Sequence, residues 1–139
     1  DDREVAYVWS TEHLYAGCPD LIGEIGGVKV IADFKTSNAP YSSVFPEKGD
    51  RIGFGGFRKY QKCAQQMSAY RLALEERTGY KCDAALIIVS TPETSQGIFI
   101  DGEQMDRFEA KFLKRCKQFH DMESDEENSA SSSQQELPK

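Results

Sequence analysis

Three side chains stand out for the chemistry they would do together: Asp20, Asp33 and Lys35. Two carboxylates suit a hard cation, and Mg²⁺ is often held by one or two carboxylates plus substrate phosphates. An ammonium two residues after one carboxylate adds a positive charge on the same side of an extended strand. Whether these groups meet depends on residues 15–37, Tyr-Ala-Gly-Cys-Pro-Asp-Leu-Ile-Gly-Glu-Ile-Gly-Gly-Val-Lys-Val-Ile-Ala-Asp-Phe-Lys-Thr-Ser. Two apolar, strand-like runs flank Gly26-Gly27, and Gly-Gly is a preferred two-residue hairpin turn because both positions accept φ > 0. Closing the hairpin there pairs Ile25 with Val28, Ile22 with Ile31 and Leu21 with Ala32, so Asp20 falls opposite Asp33.

That register sorts the side chains, because they alternate faces along a strand. One face holds Leu21, Gly23, Ile25, Val28, Val30, Ala32 and Phe34, a set expected to face the core. The other holds Asp20, Ile22, Glu24, Lys29, Ile31, Asp33 and Lys35. Glu24 opposite Lys29 is an ordinary cross-strand ion pair. Asp20 opposite Asp33 is not, since directly opposed like charges are destabilising. A divalent cation between the carboxylates is the simplest reason for them. A plainer reading stays open: Asp20, after Pro19, caps a turn, and Asp33-Phe34-Lys35 is a solvated strand end. A one-residue slip in register would flip every side chain.

The chain has 139 residues, enough for one domain. Residues 120–139 carry five of the six net negative charges, so the remainder is nearly neutral and its acidity does not argue against a polyanionic partner. No apolar run approaches the roughly 18 residues of a membrane span. The opening Asp-Asp-Arg-Glu lacks the basic start and apolar stretch of a signal peptide. Cys18, Cys63, Cys82 and Cys116 form no C-x-x-C, so zinc spacings are absent; they read as small buried hydrophobes, and an intracellular, reducing compartment is expected.

Residues 4–9 and 13–18 are expected to form an edge hairpin leading into Asp20, with Thr11 and Glu12 in its turn. Glu4 and Glu12 are the acids upstream of Asp20 that are candidates to join a metal site. Residues 37–57 lack periodicity. Five bases between 48 and 62 (Lys48, Arg51, Arg58, Lys59 and Lys62) are interleaved there with aromatics from Tyr41 to Tyr60. Bases that follow a phosphate backbone, with rings on which nucleobases stack, are the parts used by single-strand binders; a loop pinned by its aromatics is the alternative. Residues 58–78 read as a helix with Tyr60, Cys63, Ala64, Met67, Tyr70, Arg71 and Leu74 as its buried stripe, ended by Gly79. Lys59, Lys62, Gln66 and Tyr70 run beside that stripe. Residues 83–91 read as a strand buried on both faces, 97–101 as a short strand, and 102–120 as a second amphipathic helix. His13 and His120 have no partner spacing for a metal or a triad. From about residue 121 the composition predicts a disordered acidic tail.

Gly17-Cys18-Pro19-Asp20, Asp33-Phe34-Lys35-Thr36-Ser37 and Gln66-Met67-Ser68-Ala69-Tyr70, in that order, resemble the G-x-x-D, D-x-K-T and Q-x-x-x-Y motifs of the PD-(D/E)XK nuclease superfamily, RecB-like branch. The chain is most similar there to the mitochondrial genome maintenance exonuclease type and its phage and bacterial relatives. The resemblance implies an α/β fold, a central mixed β-sheet flanked by helices (a restriction-endonuclease-like core), over residues 1–120, with 121–139 as the tail. It implies a Mg²⁺- or Mn²⁺-dependent deoxyribonuclease, an exonuclease preferring single-stranded ends, serving repair, recombination or replication. Asp20, Asp33 and the backbone carbonyl of Phe34 would be metal ligands, and Lys35 would orient or polarise the attacking water. Gln66 and Tyr70 would support the site and a DNA phosphate, with Thr36, Arg58, Lys59 and Lys62 guiding the strand. Glu4 falls near a supporting acid of the relatives. Two departures accompany the match. The helix that relatives place before the first strand, often with a site His or Glu, has no counterpart before Glu4. The four cysteines do not match the iron–sulfur set of some relatives, so no cluster is expected. The competing expectation is a catalytically weak nucleic-acid-binding module that keeps the nuclease fold.

Overall fold

A computed structural model of the chain describes residues 7–135. Glu4 and the start of the expected first strand lie outside the described residues. The order of elements is β1 (Val8–Ser10), β2 (Tyr15–Gly17), β3 (Leu21–Ile25), β4 (Val28–Thr36), α1 (Arg51–Thr78), β5 (Ala84–Ser90), β6 (Ser95–Asp101) and α2 (Gly102–Gln135). The fold is α/β, as expected: β3 to β6 form a mixed four-stranded sheet packed with two helices. Strand β4 is antiparallel to β3 and parallel to β5, and β6 closes the other edge antiparallel to β5. The β4–β5 connection is parallel and so needs a long crossover, which α1 supplies.

The β3–β4 register is the one the Gly-Gly turn dictates: Ile25 pairs with Val28, Ile22 with Ile31 and Leu21 with Ala32. Gly26 and Gly27 both have positive φ, at 56° and 82°, as a tight hairpin turn requires. Lys29 lies opposite Glu24, and its ammonium sits 5.0 Å from the centre of the Tyr80 ring.

Which face meets the helices is the reverse of the expectation. Ile31, Ala85, Ile87, Val89 and Ile100 join Met67 of α1 and Met105 of α2 in one buried cluster. Leu21, Ile25, Val28 and Phe34 are exposed on the opposite face, Phe34 to 53%. Strand alternation fixes which residues share a face. It does not say which face two helices will cover when both carry apolar side chains. Because α1 and α2 share a side, Ile31 and Ile87 are fully buried and the carboxylate of Asp33 is carried into the core side. The expected two-sided burial of β5 is corrected likewise, with Leu86 and Ile88 only half-buried.

Helix α1 starts seven residues earlier than its periodicity suggests. Gly53, Gly55 and Gly56 obscure its first turns, since glycine costs about 1 kcal/mol against alanine in a helix interior. The Asp50 carboxylate caps this end by accepting the Gly53 N–H at 2.8 Å. At Gly56 a Cβ would sit 2.5 Å from the Pro40 carbonyl, so glycine lets the preceding loop lie on the helix. That loop is also pinned to β6: the Tyr41 N–H donates to Gln96 Oε1 at 2.8 Å, and Gln96 Nε2 donates back to the Tyr41 carbonyl at 3.1 Å. The αL residue Gly79 ends the helix, with its N–H on the Glu75 carbonyl. Buried Arg71 joins the two helices through Asp106 at 2.7 Å.

The segment expected to be disordered continues as α2 to Gln135, and residues 121–130 are exposed throughout. Once the packed half of α2 exists, each added residue avoids the cost of nucleation, and glutamate is a good helix former. Among the described residues no helix is long and apolar enough to cross a membrane.

Strands β1 and β2 form a separate antiparallel hairpin rather than an edge of the main sheet. It packs on α1, where the Tyr15 hydroxyl donates to the Ala69 carbonyl at 2.7 Å. The Tyr70 ring lies directly over Gly17, so that a Cβ at Gly17 would overlap it. Gln66 Nε2 donates to the Tyr70 hydroxyl at 2.8 Å and holds the ring there. Gly17→Ala is therefore expected to destabilise the chain by about 1–3 kcal/mol, the usual cost of overpacking. Denaturant unfolding of a Gly17→Ala/Tyr70→Ala cycle checks this. Coupling between the two sites is expected, and a Gly17→Ala protein as stable as wild type would contradict it.

Candidate metal and phosphate site

Asp20 stands just before β3 and Asp33 lies within β4, and the register leaves them opposed at the end of the ladder. Their carboxyl groups lie close enough to shift each other's acidity. Asp20 Oδ2 also accepts the Phe34 N–H at 2.9 Å. Asp33 is only 6% exposed, and its Oδ2 takes Lys35 Nζ at 3.0 Å and the Cys63 thiol at 3.4 Å.

The two acids are driven apart in acidity. The Asp33 side chain, then the Phe34 N–H, holds Asp20 below its ordinary pKa. Burial, then the Asp20 carboxyl, holds Asp33 above its own. The two carboxyls therefore titrate as a pair, with Asp20 the stronger acid and Asp33 the weaker. Burial alone would lower the pKa of Lys35, but Asp33 holds it above the ordinary value, so the ammonium stays charged at neutral pH. Burial, then Asp33, pushes the Cys63 thiol up to about 12, so it donates as a neutral S–H.

Helix α1 supplies the surroundings. Cys63, Gln66 and Tyr70 fall on one side at helical spacing. Gln66 and Tyr70 act on the hairpin leading into Asp20, through Gly17, rather than on either carboxylate. Lys35, Tyr41, Lys59, Lys62, Cys63 and Gln66 line a cavity of about 360 Å³, with Thr36 at its wall. Lys59 Nζ donates to Ser37 Oγ at 3.2 Å.

Of the residues singled out in the sequence, Asp20, Asp33 and Lys35 meet, and Thr36, Lys59, Lys62 and Gln66 line the space beside Lys35. Arg58 does not join them. Its guanidinium sits 4.9 Å from the centre of the Phe54 ring and lines a different cavity. Glu12 is exposed in the β1–β2 turn, whose backbone N–H groups are taken by Glu76. Glu76 lies ten residues beyond Gln66 on α1, about 15 Å along the axis, so Glu12 belongs to the other end of the helix. His120 lies against the Leu14 carbonyl at 3.2 Å and has no place in the site. Two contributors escaped the sequence reading. Cys63 reads as a small hydrophobe, although it precedes Gln66 by three and so shares its face. Tyr41 sits in an aperiodic loop and is placed by its bonds to Gln96 and its packing on the core.

Within a strand the N–H and C=O of one residue share an edge, so the Phe34 carbonyl lies on the edge that its N–H presents to Asp20. Two carboxylates and a carbonyl fit a hard cation that keeps several waters. Among the described residues, no group of three or more His, Cys, Asp and Glu side chains is placed to hold a metal ion.

No family model matches the chain, and no curated protein matches it significantly. Among solved structures, it is similar to the crystal structure of SSO0001, at 14% identity and a TM-score of 0.38. The match covers 79% of this chain and 47% of that one, so the chain spans about half the length of this neighbour.

Proposed function

We propose that the chain is a metal-dependent nuclease hydrolysing DNA phosphodiester bonds, an exonuclease preferring single-stranded ends. One observation carries this reading: Lys35 at once bonds Asp33, which stands opposite Asp20, and lines a cavity walled by Lys59 and Lys62. A carboxylate pair with a fixed ammonium beside a basic groove suits a phosphodiester.

Asp20, Asp33 and the Phe34 carbonyl would hold Mg²⁺ or Mn²⁺, and a cation would relieve the repulsion between the two carboxylates. When bound, such an ion makes water more acidic and offsets charge building on the phosphate oxygens. The chain's own residues do the rest. The Phe34 N–H fixes Asp20, and Cys63 and Lys35 fix Asp33. Lys35 is a protonated donor, so its role is to stabilise charge at the phosphorus and orient water, not to accept a proton. Lys59, Lys62 and Gln66 would position neighbouring phosphates, a contribution that weakens as salt rises. A second reading, a catalytically weak nucleic-acid-binding module, draws on one observation: among the described residues no third acid joins Asp20 and Asp33.

Lys35→Ala is expected to lower Mg²⁺- or Mn²⁺-dependent hydrolysis of end-labelled single-stranded DNA by about 100- to 1000-fold, with the fold retained by circular dichroism. Full activity in that variant would contradict the proposal, and salt-sensitive binding without cleavage by the wild type in Mn²⁺ would select the binding module. Mn²⁺ at 100 times its Kd is expected to stabilise the wild type by about 2.7 kcal/mol and to leave Asp33→Asn unmoved in thermal unfolding. The ion needs both carboxylates ionised. Asp33 titrates above the ordinary range, so Mn²⁺ affinity is fully present above that raised pKa and falls roughly tenfold per unit below it, one proton being displaced. Mn²⁺ titrations across pH 4–8 check this. Constant affinity over that range would place the ion elsewhere.

A further inference from the structure

The cavity at the start of α1, about 600 Å³, lies outside the carboxylate site and is built differently. Phe45 and Phe54 stand in it edge to face, with ring centres 6.0 Å apart. Both are accessible, Phe45 at 69% and Phe54 at 39% exposure. The Arg58 guanidinium lies 4.9 Å from the centre of the Phe54 ring, and Arg51 and Lys48 add two further bases to the wall. Glu47 also lines it, while the Asp50 carboxylate is committed to the helix cap.

Position along α1 links this cavity to the carboxylate site. Arg51, Gly55, Lys59, Lys62 and Gln66 recur at three- and four-residue steps and so share one helix face. From Lys62 back to Phe54 is about 12 Å along the axis, a distance a strand of a few nucleotides spans. Gly55 sits within that face, and a Cβ there would meet nothing within 4 Å. An exposed helical glycine costs about 1 kcal/mol against alanine, and it leaves bare backbone for close approach by a ligand. Accessible rings with guanidinium groups above and beside them match the stacking platforms of single-strand binders, where each base presents a π-face and the charges follow the phosphates.

We propose that the Phe45–Phe54–Arg58 cavity is a nucleobase-stacking subsite that takes an unpaired base of the DNA strand whose phosphates lie on Lys59 and Lys62. The inference rests on the nuclease reading for the identity of the strand. It adds a reason for single-strand preference, because a base stacked within a duplex has no free face to offer.

The test is binding of a short single-stranded oligodeoxythymidine carrying one 2-aminopurine, in EDTA so that no hydrolysis depletes the probe. Wild type is expected to quench the 2-aminopurine fluorescence at one position along the strand. Phe54→Ala and Phe45→Ala are expected to lose that quenching and bind about 5- to 100-fold more weakly, and Phe54→Trp to restore both. Replacing the quenched base by an abasic residue should weaken wild-type binding and make the alanine variants and wild type alike. Unchanged affinity and quenching in both alanine variants would overturn the subsite and leave the cavity to another occupant, such as a protein segment. Wild-type hydrolysis of bis(p-nitrophenyl) phosphate in Mn²⁺, a substrate without bases, reads the carboxylate site separately. Quenching without that hydrolysis would support the subsite while counting against the nuclease reading alone.

Discussion

The repulsion between Asp20 and Asp33 is the constraint on which the rest of the structure turns. Two carboxylates brought into contact on neighbouring strands oppose folding unless a proton or a cation sits between them. The chain holds them there nonetheless. Gly26 and Gly27, both at positive φ, admit a two-residue turn and hence one register. The Phe34 N–H holds Asp20 from one side, while Lys35 and Cys63 hold Asp33 from the other. The Lys35 ammonium offsets part of the pair's charge, and a divalent ion would offset the rest. Such an arrangement costs stability locally, and strained or repulsive groups of this kind gather at functional sites.

Helix α1 is what lets so small a sheet carry this pair. Its one surface performs several tasks in sequence. Near its start it meets the 37–50 loop and bears the Phe54–Arg58 cavity. In its middle Lys59, Lys62 and Gln66 wall the groove beside Lys35, and Cys63 reaches Asp33. One turn later Tyr70 lies on Gly17 and sets the approach to Asp20. The buried side of the same helix packs Met67 on Ile31, Ile87 and Ile100. A shift of α1 therefore moves the core, the carboxylates and the basic groove together.

The site was more legible in the sequence than its surroundings. Gly-Gly between alternating runs defines a register without help from tertiary structure, so the meeting of Asp20 and Asp33 followed from local rules. The choice of face did not. Leu21, Ile25 and Phe34 are as apolar as Ile22 and Ile31, and only the placement of both helices on one side decides between them. The start of α1 was hidden because helix propensity at Gly53, Gly55 and Gly56 is overridden by the Asp50 cap and by contact with Pro40. Cys63 was placed in the apolar stripe, and nothing local shows that a thiol on that stripe would face a carboxylate on β4. Arg58 is four residues before Lys62 and so shares its side of α1, yet it stands a turn nearer the helix start, where its guanidinium meets the Phe54 ring in the other cavity.

The central claim is that the opposed carboxylates are held together for a divalent cation, and location of the ion tests it most directly. Crystals soaked in Mn²⁺ and measured near the manganese absorption edge should show an anomalous peak between Asp20 and Asp33, with the Phe34 carbonyl among its ligands. Carboxyl groups left in place in millimolar Mn²⁺, with no peak between them, would contradict the account.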